Sequence, residues 1–311
     1  MKRVRMQYIA CFLLAAAFAF FPTGVGCAAE ETEKYYTENE WGYVDASMDI
    51  SQGIPKDAEG ALELIRERGA LLVAMEPYYP PQEFIDPALE GQSQFVGADV
   101  ELARLIAKKM GVELVLVPMD FTQVLPAVAE GTCDLAISAL SFTPERAGRV
   151  EMSKGYHFAA EDVGSGILIR AADRDSIQAV QDLADKTIVV QSGSLQEVLG
   201  AENVLSYLEM RRLSSMQAVY QALIDGWADA AVVDFESAQI FIDNNPQFQL
   251  TLLPDVRFLL QEQFQGDRIA GKKDDLELMY FVNGVIDEVL TDNRYEAWYL
   301  EYAAYAKRLG L

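Results

Sequence analysis

Residues 131–147 read GTCDLAISALSFTPERA and carry groups suited to holding a small anion. An apolar strand over 135–137 runs into Ser138, Ala139, Leu140 and Ser141. Thr143 reads as an N-cap, with Pro144 at the first helical position, where its missing N–H costs nothing. Arg146 sits on that first turn. Hydroxyls, backbone groups and one fixed cation at the mouth of a strand-to-helix turn suit a carboxylate. The competing reading of the same residues is a capped surface helix with a solvated arginine.

Two further turns repeat the logic. A β-branched strand over 187–190 leads into Gln191, Ser192, Gly193 and Ser194, and Ser194 and Glu197 have capping-box spacing. Free N–H groups at such a helix start can receive an anion, though a plain cap is the commoner use. Asp234 follows a buried strand over 229–233, at the strand end where open α/β sheets bind ligands. An acid there is costly without a partner, unless it simply caps the next helix. Together the three turns supply one cation, one carboxylate, hydroxyls and a helix N-terminus. A zwitterion with carboxylate and ammonium a few ångströms apart would satisfy them all.

The elements that position these turns alternate along the chain. The patterns predict helices over 61–68, 100–110, 122–130, 194–199, 215–224, 235–242, 276–290 and 294–309, with a helix start at 144–150. They predict strands over 70–75, 112–117, 134–137, 167–169, 187–190 and 229–233. Such alternation implies an α/β fold of mostly parallel sheets covered on both faces. Pro77, Pro80, Pro81 and Pro87 enforce a loop, and residues 30–60 read as a polar, aromatic spacer.

The N-terminus sets the compartment. Lys2, Arg3 and Arg5 precede an apolar run over 8–21 and a small-residue stretch ending at Ala29, the pattern of a secretory signal over 1–29. The run is short for a membrane span. Cleavage before Cys27 would leave a lipidated cysteine; cleavage after Ala29 would not. Gly24-Val25-Gly26-Cys27 is similar to a lipoprotein box but lacks its usual large aliphatic residue. Cys133 is then the one cysteine left, so no disulfide framework is expected, and it reads as a small buried side chain. The single histidine, His157, leaves no His-rich metal site; no metal and no cofactor are expected. The net charge of −23 grows three units more negative once the leader is removed. That excludes nucleic acid as a partner.

Over residues 63–309 the chain resembles the polar-amino-acid family (family 3) of bacterial extracellular solute-binding proteins, the capture components of ABC importers. The motifs that carry the resemblance are ELIRERGALLVAMEP, YYPPQEF, VGADVELARLIAKKMG, PMDFTQVLPAVAEGTCDLAISALSFTPERA, VVQSGS, DGWADAAVVD and AGKKDDLELMYFVNGVIDEVLTDNRYEAW, in family order. The resemblance implies a two-lobed periplasmic-binding-protein fold of type II, with lobes joined by a hinge. Residues 61–165 and 263–311 form lobe one and residues 166–262 lobe two. It implies a monomer that takes an amino acid outside the cytoplasm and delivers it to an ABC permease.

The resemblance also implies roles. Arg146 holds the ligand carboxylate, with Ser194 as its partner from lobe two. Asp234 takes the α-ammonium, with Ser141 and the carbonyl of Ala139, in the Ser138–Ser141 run, as partners from lobe one. Tyr79 and Phe121 sandwich the ligand side chain; Glu76 and Gln191 select it, and Glu76 favours a polar or basic amino acid. Three departures stand out: Gln82 replaces an aromatic, Ala98 replaces the aromatic of a G-F-D motif, and the stretch 156–166 is long. Two other classes compete. One is an enzyme of the cyclohexadienyl-dehydratase kind, against which Asp234 argues because it calls for an amine. The other is a ligand-sensing module.

Overall fold

The computed structural model describes residues 42–158 and 164–311. The expected leader with Cys27 lies outside the described residues, as does 159–163. In chain order come α1 (Gly60–Arg68), β1 (Ala70–Met75), the short strands β2 (Tyr78–Tyr79), β3 (Glu83–Ile85) and β4 (Phe95–Val96), α2 (Ala98–Met110), β5 (Glu113–Pro118), α3 (Phe121–Ala129), β6 (Leu135–Ser141), α4 (Pro144–Ala147) and β7 (Val150–Met152). The chain then crosses to β8 (Ser165–Arg170), β9 (Thr187–Gln191), α5 (Leu195–Asn203), β10 (Glu209–Leu213), α6 (Met216–Ile224), β11 (Ala230–Asp234), α7 (Phe235–Asn244) and β12 (Leu250–Leu252). It returns to β13 (Asp267–Lys272), α8 (Leu276–Thr291) and α9 (Arg294–Leu309).

Two five-stranded sheets result, ordered β5-β1-β6-β13-β7 and β10-β9-β11-β8-β12. The orders correspond strand for strand. In each sheet a single strand, β13 or β8, runs against its neighbours, and it is the strand the chain enters on crossing between lobes. The expected two-lobed α/β architecture is therefore present. A third, three-stranded sheet, β2-β3-β4, hangs over the cleft end of lobe one and carries Tyr79 and Glu83.

Helical periodicity decides which faces are covered. In α2, Val100, Ala103, Ile106, Ala107 and Met110 fall on one stripe and join Leu71, Val73, Phe281, Val285 and Ile286 in the largest core of lobe one. Each of the larger side chains among them contributes about 1.5–3 kcal/mol on full burial. The opposite face is covered by α3, through Val124 and Val128. In lobe two, α5 covers one face and α6 with α7 the other. No helix among the described residues is long and apolar enough to cross a membrane. Cys133 is buried and free, as its setting beside a strand implied.

Two expectations need correction. The described part of the 30–60 segment is not a spacer. Val44, Ile50 and Ala58 lie in the main core of lobe one. The Val44 N–H donates to the Met152 carbonyl at 2.8 Å, and the Asn283 amide donates to the carbonyls of Val44 and Ala46 at 2.8 and 2.9 Å. These apolar residues are scattered without period, so pattern reading passes over them. The helix start at 144–150 ends after one turn, at Ala147, because Val150 begins the outer strand β7.

Gly97 joins β4 to α2 at φ 134°, where a Cβ would lie 2.1 Å from the Gln82 carbonyl oxygen. That carbonyl accepts the Asp99 N–H at 2.9 Å, so the loop has no room to yield. Gly97→Ala is expected to cost about 3 kcal/mol or more in urea unfolding. A loss under about 1 kcal/mol, in the range of a neutral surface change, would show that the β4–α2 turn is not rigid.

Candidate functional site

The carboxyl ends of β1, β6, β9 and β11 converge on one cleft, and all ten residues singled out in the sequence line it: Glu76, Tyr79, Phe121, Ser138, Ala139, Ser141, Arg146, Gln191, Ser194 and Asp234. Its cavity of about 140 Å³ has room for on the order of ten waters. Tyr78, by contrast, is 46% exposed and turns away to solvent.

Arg146 is built in by its cap. The Thr143 hydroxyl accepts the Arg146 N–H at 3.1 Å, as the sequence pattern implied. The guanidinium is buried, donates to the Ser141 carbonyl at 2.7 Å, and reaches lobe two to donate to the Gly193 carbonyl at 2.9 Å. Its Cζ stands 5.8 Å from the Phe121 ring centre. Burial pulls its pKa down to about 10, against Glu145 and Asp267, so it stays charged at neutral pH. Two carbonyl contacts leave part of the five-donor fork for an anion.

Ser194 caps α5: its Oγ accepts the Glu197 N–H at 3.1 Å and donates to the Gln191 carbonyl at 2.8 Å. The Glu197 carboxylate closes the turn one residue earlier than a capping box would, on the Gly193 N–H at 2.7 Å. The Ser194 hydroxyl proton is thus committed, which leaves the first-turn N–H groups of α5 as the donors at this end of the cleft.

Asp234 ends β11 and caps α7 through Ser237, whose N–H it accepts at 2.9 Å. Burial raises its pKa to about 6, opposed by Ser237 and assisted by Asp267 and Glu236. The Ser237 hydroxyl donates across the cleft to the Tyr79 hydroxyl at 2.9 Å, and the Tyr79 ring packs on the Tyr220 cluster of lobe two. With Arg146–Gly193, these contacts bring the lobes together around the cavity.

The floor of the cleft is strained and tied down. Ala139 has φ 45°, a conformation that costs a non-glycine residue about 1–3 kcal/mol. The pairing of β6 with β13 slips between Arg268 and Ala270, so three residues of β6 oppose one of β13. The Ala139 N–H is held by Asp99 at 2.9 Å. Asp99 also accepts the hydroxyls of Tyr156 and Tyr295, at 2.9 and 2.6 Å. Burial, then the Asp99 charge, drives the Glu83 pKa well up. The Ser138 hydroxyl donates to Glu83 at 2.8 Å and accepts the Glu76 N–H at 3.0 Å.

Several cleft residues were not foreseen. Gln82 and Glu83 directly follow the Tyr79-Pro80-Pro81 turn; their place beside a predicted site residue was the available signal. Ser237 is the third residue after Asp234, the usual reach of a cap. Glu236, Asp267 and Tyr299 also line the cleft, and their spacing offered no signal. His157 lines it too. On the two hinge crossovers His157 and Asp267 form a backbone bridge, their side chains 3.1 Å apart, with the imidazole stacked on Tyr299 at 4.6 Å.

The geometry defines a class: a two-lobed α/β protein whose cleft sets a buried arginine of one lobe against a buried aspartate of the other. The chain belongs to the family of bacterial extracellular solute-binding proteins, family 3, matched over residues 71–304. It is 29% identical over 235 residues to a probable histidine-binding protein of Campylobacter jejuni, covering 75% of this chain and 84% of that one. It is similar in structure to an amino acid ABC transporter substrate-binding protein of Streptococcus pneumoniae bound to L-arginine, with TM-score 0.69, 31% identity, and coverage of 78% and 98%. It is also similar to an ancestral amino acid-binding protein described as a precursor of cyclohexadienyl dehydratase, with TM-score 0.67, 27% identity, and coverage of 78% and 99%.

Burial lowers the His157 pKa, but Asp267, with Asp99 and Glu236, outweighs it and leaves the imidazole above its usual 6.5. A raised folded value stabilises the fold fully below pH 6.5 and loses that contribution as pH rises through the folded value. The chain has one histidine, so its proton resonances titrate without overlap from another. NMR titration is expected to give a value above 6.5 that falls in Asp267→Asn. A value at or below 6.5 in the unsubstituted protein would break the ion pair.

Proposed function

We propose that the protein captures a free L-α-amino acid with a polar or basic side chain between its lobes and delivers it to an ABC importer. The observation that carries this is the opposition, in one cavity, of Arg146 from lobe one and Asp234 from lobe two. Arg146 and the first turn of α5, at Ser194, take the carboxylate, a bidentate task suited to guanidinium. Asp234, the Ala139 carbonyl and Ser141 take the ammonium, and the strain at Ala139 aims that carbonyl. Tyr79 and Phe121 enclose the side chain, whose end lies toward Glu76 and Gln191, with Ser138 supporting Glu76 from below.

Charge supports a basic or polar ligand over an acidic one. Glu76, Asp234, Glu236 and Asp267 line the cavity against Arg146 and His157. The arginine and histidine relatives point the same way. Binding rather than catalysis is the reading for a site that retains Asp234, since a dehydratase substrate need not carry the amine. Residues 61–165 and 263–311 act as lobe one and 166–262 as lobe two, each completing half of the ligand's coordination. The protein works as a monomer outside the cytoplasm, and Cys27 is its lipid anchor.

Calorimetry with a panel of L-amino acids tests this reading. Arg146→Ala should cost roughly 3–5 kcal/mol, or two to four orders of magnitude in affinity, with the fold intact. Less than about a tenfold loss, roughly 1.4 kcal/mol, would remove Arg146 from the site. Asp234→Asn should weaken α-amino acids strongly and their deaminated analogues little; equal losses would sink the ammonium assignment. Because neither lobe satisfies the zwitterion alone, ligand should also reduce the radius of gyration and raise the melting temperature with concentration.

A further inference from the structure

Glu76 stands at the side-chain end of the cleft in a setting the α-amino-acid clamp does not use. It is 2% exposed, its Oε1 has no hydrogen-bond partner, and no ion pair to it occurs among the described residues. The groups that face it come from four elements. From β3 comes Glu83, linked to the Glu76 N–H through Ser138 on β6. Asp120, ahead of α3, adds a negative charge. From β9, across the cleft, comes the Gln191 amide, whose Nε2 is itself buried without a partner. An ionised carboxylate in that company lacks a cation, and a buried charge without one is expensive.

We propose that this end of the cleft exchanges a proton for a cation. A guanidinium or ammonium on the ligand side chain, arriving at Glu76, expels the carboxyl proton to the buffer; a neutral side chain leaves it in place. The Glu76 carboxyl loses one proton, the ligand cation becomes its counter-charge, and no bond is made or broken within the ligand. Gln191, with an orphaned donor on one atom and an acceptor on the other, can turn to serve either ligand. The inference rests on the reading of the cleft as an amino-acid site and adds to it a selectivity that changes with pH. Burial, partly offset by Gln191 and reinforced by Asp120, holds the Glu76 pKa at about 7, so the exchange falls in the neutral range. Asp234 titrates as well, but it meets the α-ammonium, which is common to charged and neutral ligands.

The experiment is calorimetry of the whole protein in buffers of different ionisation enthalpy, with L-arginine and with L-citrulline, which carries a neutral urea in place of the guanidinium. At pH 7 arginine should release about half a proton more than citrulline. Between pH 8 and pH 5 the arginine-to-citrulline affinity ratio should fall roughly 100-fold. Glu76→Gln should abolish the difference in proton release and flatten the ratio. Equal proton counts for both ligands in the unsubstituted protein overturn the exchange whether or not the variant folds. If neutral amino acids bind and arginine and lysine do not, the amino-acid reading stands and the exchange falls. If no amino acid binds, both fall.

Discussion

A charge that cannot reach water must be met by hydrogen bonds or by an opposite charge, and the cleft is organised around that constraint. Asp99 meets it internally. Placed in the first turn of α2, it gathers the Ala139 N–H and the hydroxyls of Tyr156 and Tyr295, and is therefore tolerable at full burial. Those donors belong to β6, the first crossover and α9. One carboxylate thus ties the cleft floor, the hinge and the C-terminal helix to a single point. Arg146 meets the constraint by halves: two backbone carbonyls take part of its fork, one from each lobe. Asp234 and Glu76 are left for something else to complete.

The hinge depends on the same chemistry. Both crossovers pass close together, paired at His157 with Asp267 and at Ser165 with Phe258. Phe158 lies where side chains on Gly155 and Gly266 would clash with it, so the two strands approach through glycine. The imidazole sits between this pairing and Tyr299, inside the cleft wall. Residues that line the cleft and residues that pair at the hinge are therefore neighbours, a few ångströms apart.

Much of this was legible in the chain. Helices with a sustained apolar stripe, such as α2 and α8, have ends within a few residues of where periodicity places them. The turns at Thr143-Pro144, Ser194 and Asp234 were readable because capping chemistry is local. Strands β10, β12 and β13 were not foreseen. EMRRL in β10 is an edge strand with little apolar content, and β13 runs through charged residues at both ends. Their pairing comes from the sheet, not from their own pattern. The Asp99 network was hidden for a related reason: its members, at 99, 139, 156 and 295, meet only after the sheet has formed. The core role of Val44 and Ile50 was equally non-local.

The order of strands in lobe one has a consequence for how the protein is made. β13 lies between β6 and β7, yet it is synthesised after all of lobe two. Lobe two is one unbroken stretch of chain and can complete its sheet as it emerges. Lobe one must wait with β6 and β7 unjoined, their facing edges open, until residues 267–272 arrive. During synthesis this leaves an unfinished half carrying exposed pairing edges while a finished half already hangs from it. A chain stalled or clipped before residue 267 would thus yield a folded second lobe attached to a sheet with a missing stave, a form prone to recruit strands from its neighbours.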